Sequence, residues 1–132
     1  ESRRVLFRSK KKKMPYEYTN CKVRKIVDGD TIDLDISLGF DCWLHNQRIR
    51  LAGIDTPESR TRNIEEKALG LAAKRRLKEV CKGPIKLVSH GRDKYGRILG
   101  TPYTKDGTDI CFLLIEEGHA VEYDGGTKKI WA

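Results

Sequence analysis

Residues 22–36 read Lys22-Val23-Arg24-Lys25-Ile26-Val27-Asp28-Gly29-Asp30-Thr31-Ile32-Asp33-Leu34-Asp35-Ile36. Lys22–Val27 is a short strand, and Asp28-Gly29 is a strong tight-turn dipeptide. Thr31–Ile36 then alternates without a break. Ile32, Leu34 and Ile36 fall on one face, and Asp33 and Asp35 on the other. Such a period of two predicts a half-buried strand whose acidic side faces water.

The chain on either side extends this pattern. Leu38–Asn46 is a longer connection with room for a hairpin of its own, carrying Phe40, Trp43 and His45. Arg48–Ile54 alternates again, with Ile49 and Leu51 opposite Arg48 and Arg50. Thr56-Pro57 ends that strand, because proline cannot donate to a ladder. Ile64–Cys81 is the one long helix: Ile64, Ala68 and Ala72, and also Leu69, Ala73 and Leu77, recur at helical spacing. Asn63 is placed to cap it, Glu66 stands three residues on, and Gly83-Pro84 stops it. Ile85–Ser89 and Arg97–Tyr103 are two further strands around a polar turn at Gly91–Gly96. Asp109–Glu117 is a short helix ended by Gly118, and Ala120–Tyr123 is a last extended piece. Three strands, a long helix, two strands and a short helix predict a mainly β, α+β protein. The expected architecture is a five-stranded OB-type barrel, with the long helix between strands three and four and a short C-terminal helix.

The 132 residues suffice for one domain with a core of its own. No stretch approaches the roughly 20 apolar residues of a membrane-spanning helix. The net charge of +8 is unevenly placed, since residues 1–13 hold seven of the 27 Lys and Arg and only one of the 19 acids. We expect residues 1–13 to be a solvated basic tail extraneous to the fold, with Met14 as the natural start. Residues 14–132 form the single domain, with a core of about 20–124. Cys21, Cys42, Cys81 and Cys111 show no metal-binding or disulfide spacing. They are expected as small apolar filler, and unpatterned thiols fit a reducing, intracellular compartment. His45, His90 and His119 have no partners at ligand spacing and are expected to be structural or surface residues.

Four short stretches stand out for chemistry: Val27-Asp28-Gly29-Asp30-Thr31, Arg50-Leu51-Ala52-Gly53-Ile54-Asp55-Thr56-Pro57-Glu58, Asp93-Lys94-Tyr95-Gly96-Arg97 and Glu117-Gly118-His119-Ala120. Singly, each has an ordinary explanation: a hairpin turn, a solvated strand arginine, a loop entry. Together, in this order, they resemble the staphylococcal nuclease family over about Lys22–Tyr123, a family built on an OB-fold core.

That resemblance implies a Ca²⁺-dependent nuclease that cuts DNA and RNA phosphodiester bonds with little sequence preference and leaves 3′-phosphate ends. It assigns the metal to Asp30, Asp55 and the carbonyl of Thr56. It makes Glu58 the general base for the attacking water, and Arg50 and Arg97 the phosphate clamps. Lys94 and Tyr95 would contact a neighbouring nucleotide, and Tyr123 would add a stacking platform. The chemistry is coherent. Hard carboxylate and carbonyl oxygens suit Ca²⁺, a carboxylate can activate water, and a guanidinium fork meets two phosphate oxygens at once. The expected partners are DNA and RNA, single strands or frayed duplexes favoured, and the expected state is a monomer. The alternatives are a non-catalytic nucleic-acid or protein-binding module on the same barrel, and an assembly protein with a Ca²⁺ site. Against the family pattern, Ser59–Asn63 is a short connection, the hairpin around Gly39–Gln47 is long and extends the substrate surface, and the C-terminal helix is shortened or absent.

Overall fold

A computed structural model describes residues 16–123. The expected tail at residues 1–13 and the chain after Tyr123 lie outside them. Seven strands and two helices follow in order: β1 (Tyr16–Asp28), β2 (Thr31–Gly39), β3 (Cys42–Leu51), β4 (Ile54–Asp55), α1 (Ile64–Val80), β5 (Ile85–Arg92), β6 (Ile98–Tyr103), α2 (Ile110–Glu116) and β7 (Val121–Glu122). Five strands close a barrel in the order β1-β2-β3-β6-β5, and β4 pairs with β7 in a small separate sheet. These are the five expected barrel strands, with α1 between the third and fourth, as in an OB fold. All the barrel pairings are antiparallel except β3 with β6, where Arg50 stands opposite Leu99.

Ile32, Leu34, Ile36, Ile49, Leu51 and Leu87 point into the barrel and are buried. Leu77 from α1 and Ile110 and Leu114 from α2 join them in one core. Each such side chain contributes roughly 1.5–3 kcal/mol by leaving water.

Four details depart from the sequence reading. First, β1 begins at Tyr16, because Tyr16, Glu17 and Tyr18 pair with Ser89, Val88 and Leu87 of β5 and so close the barrel. Second, Leu38–Asn46 is not a separate connection but the far end of the β2–β3 hairpin. Its turn residues Phe40 and Asp41 both have positive φ (54° and 62°), the handedness that matches strand twist. Phe40 is 99% exposed at the tip.

Third, the acidic face of β2 is not in water. Asp33 is covered by Arg48, whose Nε and Nη2 donate to it at 2.9 and 3.2 Å. Asp35 meets Arg24 at 3.4 Å and His45 at 3.3 Å, and accepts the Asn46 N–H at 2.9 Å. Burial alone would raise the Asp35 carboxyl, but these donors together hold it below the usual range. Fourth, only Gly70, Ala73 and Leu77 of α1 are buried, while Ile64 and Leu69 of the predicted apolar stripe are exposed. A barrel closed on itself offers a helix only a narrow strip.

Cys21, Cys81 and Cys111 are the expected buried filler, but Cys42 is exposed on the hairpin. Burial pushes the Cys21 thiol up to about 11 and those of Cys81 and Cys111 to about 12, so none of these three is a ready thiolate. No described helix is long and apolar enough to cross a membrane.

Candidate active site

The turn at Asp28-Gly29 does more than join two strands. Gly29 is wedged where a Cβ would lie 2.8 Å from both Ala73 Cβ of α1 and Thr56 Oγ1, so only glycine fits. This close approach sets Asp30 beside the end of β3. There the Leu51 N–H donates to the Asp30 carbonyl at 2.8 Å, and Thr31 opposes Arg50. Alternation along β3 sends Ile49 and Leu51 inward and turns Arg50 outward, toward Asp30.

Arg50 is the hub. Its Nη1 donates to the Leu51 carbonyl at 2.9 Å, and its Nη2 lies 3.5 Å from Asp30 Oδ2 and 3.7 Å from Asp55 Oδ1. Asp55 is held in place by β4, which pairs Ile54 with Glu122 and Asp55 with Val121 of β7. The same small sheet brings in the chain end: the Tyr123 N–H donates to Gly53 O at 2.8 Å, and the Tyr123 ring sits 6.0 Å from the Arg50 guanidinium carbon.

Glu58 is exposed, but it stands between the buried Pro57 and Ser59 on a loop that α1 holds firmly. The Glu66 carboxylate accepts the Glu58 N–H at 3.1 Å. At Gly70 the helix comes so close that a Cβ would lie 2.5 Å from the Glu58 carbonyl carbon. On the other side, Ser59 donates its hydroxyl to Asp28 Oδ1 at 2.7 Å, tying the loop to the turn that carries Asp30.

Arg97 is presented by the β5–β6 turn. Asp93 organises it, accepting the Arg97 and Tyr95 N–H groups at 2.9 Å each and Arg97 Nε at 2.7 Å. Burial by itself would raise the Asp93 carboxyl, but the Arg97 guanidinium and the two backbone N–H groups outweigh it and hold it below the usual range. Tyr95 is exposed, and its ring lies 5.5 Å from the Arg97 guanidinium and 5.3 Å from Lys94 Nζ.

Asp30, Arg50, Thr56, Glu58, Lys94, Tyr95, Arg97 and Tyr123 all line one cleft of about 680 Å³. Of the nine residues singled out in the sequence, Asp55 alone is not on its wall. It is 2% exposed and stands behind Arg50. Asp28, Ser59, Glu66, Gly70 and Asp93 support the site through contacts that the sequence does not show. Asp28 and Asp93 stood inside quoted motifs but read as turn formers. Glu66 read only as a capping partner, and indeed its N–H is capped by Asn63 Oδ1 at 3.1 Å, yet its carboxylate reaches back to the loop.

The donor set fits a hard divalent cation. One guanidinium serves two carboxylates whose side chains are only 13% and 3% exposed, for Asp30 and Asp55 respectively. Both are hard oxygen donors of the kind that a divalent cation takes. The Thr56 hydroxyl beside them is buried without a hydrogen-bond partner among the described residues. No cluster of three or more His, Cys, Asp or Glu forms a cation site among the described residues. Asp30, Asp55 and Thr56 would therefore need water or substrate oxygens to complete a shell, as oxygen-liganded cations commonly accept.

The chain is 28% identical over 113 residues to "Succinoglycan biosynthesis protein ExoI" of Rhizobium meliloti (strain 1021), covering 81% of this chain and 54% of that protein. It is 33% identical over 110 residues to "Endonuclease YhcR" of Bacillus subtilis (strain 168), covering 76% of this chain and 9% of that one. It is 32% identical over 111 residues to "Micrococcal nuclease" of Shigella flexneri, covering 77% and 57%. The chain thus spans about half the length of two of these relatives and a small part of the third. Residues 48–130, well over half of the chain, match the family profile described as "Staphylococcal nuclease homologue". By that match, and with its OB barrel and the cleft around Arg50, the chain belongs to the staphylococcal nuclease family.

Proposed function

We propose that the protein is a phosphodiester hydrolase that cuts DNA and RNA with little sequence preference. The observation that carries this reading is the convergence of Asp30, Arg50, Glu58 and Arg97, from three separate stretches of the sequence, on one cleft. A binding surface needs cations for phosphate but has no need of a carboxylate on a loop braced by a helix. The names of two relatives, one an endonuclease and one a nuclease, point the same way.

In this reading a backbone phosphate lies between Arg50 and Arg97. Arg50 enters through N–H groups not committed to Leu51, and Arg97 through its terminal amino groups, since Asp93 holds its Nε. Both guanidiniums meet the negative charge that grows on the equatorial oxygens as water attacks. Glu58 accepts the proton of that water, and the bracing by Glu66 and Gly70 keeps its backbone fixed while it does so. Asp30, Asp55 and Thr56 would hold Ca²⁺, which would supply Lewis-acid neutralisation of the phosphate. Tyr95, Lys94 and Tyr123 position the flanking nucleotide. The products carry 3′-phosphate ends, and single strands or frayed duplexes are the preferred substrates of a monomeric enzyme. Contact through phosphate rather than base edges gives the low sequence preference.

Single-stranded DNA incubated with the protein in Ca²⁺, and in parallel in EGTA, tests the reading. Cleavage in Ca²⁺ that stops in EGTA, with 3′-phosphate ends, is the expected result. Binding without cleavage would instead make the chain a non-catalytic module.

A further inference from the structure

A second groove of about 420 Å³ lies outside the cleft, between β1 and α1. Its floor includes Ile26 and Cys81, and Arg24, Lys25, Lys74 and Lys78 line it. No carboxylate lines it. Arg24 reaches down to Asp35 at 3.4 Å. No described carboxylate lies within salt-bridge distance of Lys25, Lys74 or Lys78. Lys25, Lys74 and Lys78 thus present like charges along one groove, a field that draws a polyanion.

The groove has a fixed relation to the cleft. Gly70, Lys74 and Lys78 stand at i, i+4 and i+8 on α1, so they follow one side of the helix. Gly70 is the residue that touches the backbone of Glu58 and Ser59. From there the two lysines lead away over two helical turns, about 11 Å. The neighbours of β1 complete the row from the opposite wall. A cationic track thus leaves the site beside its proposed base.

We propose that this groove is a second nucleic-acid subsite, holding the phosphates of a single strand that continues from the cleft. The proposal rests on the nuclease reading for the direction of the strand, but the binding it states can be measured without cleavage. Its walls offer ammonium and guanidinium groups and no aromatic ring, so it reads backbone and not base. Lysines act here as point charges that release counter-ions, each neutralised phosphate on a single strand contributing about 0.7 to the slope of log affinity against log salt.

The test measures binding of oligo(dT), long enough to span both sites, and of a dithymidine dinucleotide. Salt is varied in EGTA, and a gel confirms that the strand stays intact. For Lys74→Gln with Lys78→Gln, the salt slope for oligo(dT) is expected to fall by about 1.4, with dinucleotide binding unchanged. The Arg pair at the same positions should restore the slope. An unchanged slope would overturn the proposal, as would an equal loss for the dinucleotide. Poly-glutamate competing as well as oligo(dT) would also overturn it and make the groove a docking site for an acidic protein. Because binding is read directly, a protein that binds with the expected slope yet never cuts contradicts only the catalytic reading.

Discussion

The Glu66 carboxylate accepts the backbone N–H of Glu58 at 3.1 Å, so the helix holds the very residue proposed to activate water. Glu66 touches no substrate and acts by positioning. Glu66→Ala should lower kcat about tenfold with KM little changed, in line with the worth of one charge-assisted hydrogen bond. Glu66→Gln, whose amide oxygen still accepts, should recover much of the loss. Steady-state kinetics on the two variants, with Tm as a check on folding, decide this. A loss shared equally between KM and kcat would point to general disruption.

Gly70 is the second brace. Alanine is intrinsically the better helix former by about 1 kcal/mol. Here, however, its Cβ would lie 2.6 Å from the Glu58 carbonyl oxygen and 2.7 Å from the Ser59 nitrogen. Those are backbone atoms that cannot swing aside, so strain wins. Gly70→Ala should cost about 1–3 kcal/mol and lower Tm by roughly 5–15 °C. Thermal denaturation tests it, and an equal or higher Tm would show that the contact is softer than drawn.

Arg50 serves the buried Asp55, the half-buried Asp30 and one carbonyl. A lysine cannot span these partners and still fork onto a phosphate. Arg50→Lys should reduce kcat about 10²-fold, the usual scale for one preorganised donor. Arg50→Ala removes a guanidinium that lies 3.5 Å from Asp30 and 3.7 Å from Asp55 and should cost about 3–5 kcal/mol. Its Tm should rise with added Ca²⁺ more steeply than that of the wild type. Thermal shift with and without EGTA measures both effects.

The Asp93 carboxyl is held below its ordinary 3.8. Its bonds to Arg97 and Tyr95 therefore stabilise the fold fully above that ordinary value, and the stabilisation is lost as pH falls through the lower, folded one. Glu117, held down first by its paired bonds to Arg76 at 2.6 and 2.8 Å, behaves the same way below its ordinary 4.5. Asp93→Asn should flatten the acid limb of a Tm-against-pH curve. At neutral pH it should lower kcat by releasing Arg97. An acid limb identical to that of the wild type would contradict the assignment.

The sequence showed much of this and missed parts for definable physical reasons. Alternation in Thr31–Ile36 and Arg48–Leu51 named the inward residues correctly, because inward faces are set by the pleat. It could not say what covers the outward side. Asp33 and Asp35 are buried by Arg48, Arg24 and His45, which reach across from neighbouring strands. The helical stripe of Ile64–Cys81 was read too wide, because barrel closure and not apolar count decides how much of α1 is covered. Asp30, Arg50, Glu58 and Arg97, which the family resemblance singles out, do line one cleft. Its braces were invisible, since the reach of Glu66 and the need for glycine at position 70 depend on the path of a loop from another part of the chain.

The central claim is that Glu58 removes a proton from water at a phosphate gripped by Arg50 and Arg97. Single-turnover cleavage of a bound single strand, wild type beside Glu58→Gln in Ca²⁺, reads that step alone. The account predicts a fall of about 10²–10⁴-fold in the rate with strand affinity retained; cleavage by the Gln variant at the wild-type rate would contradict it.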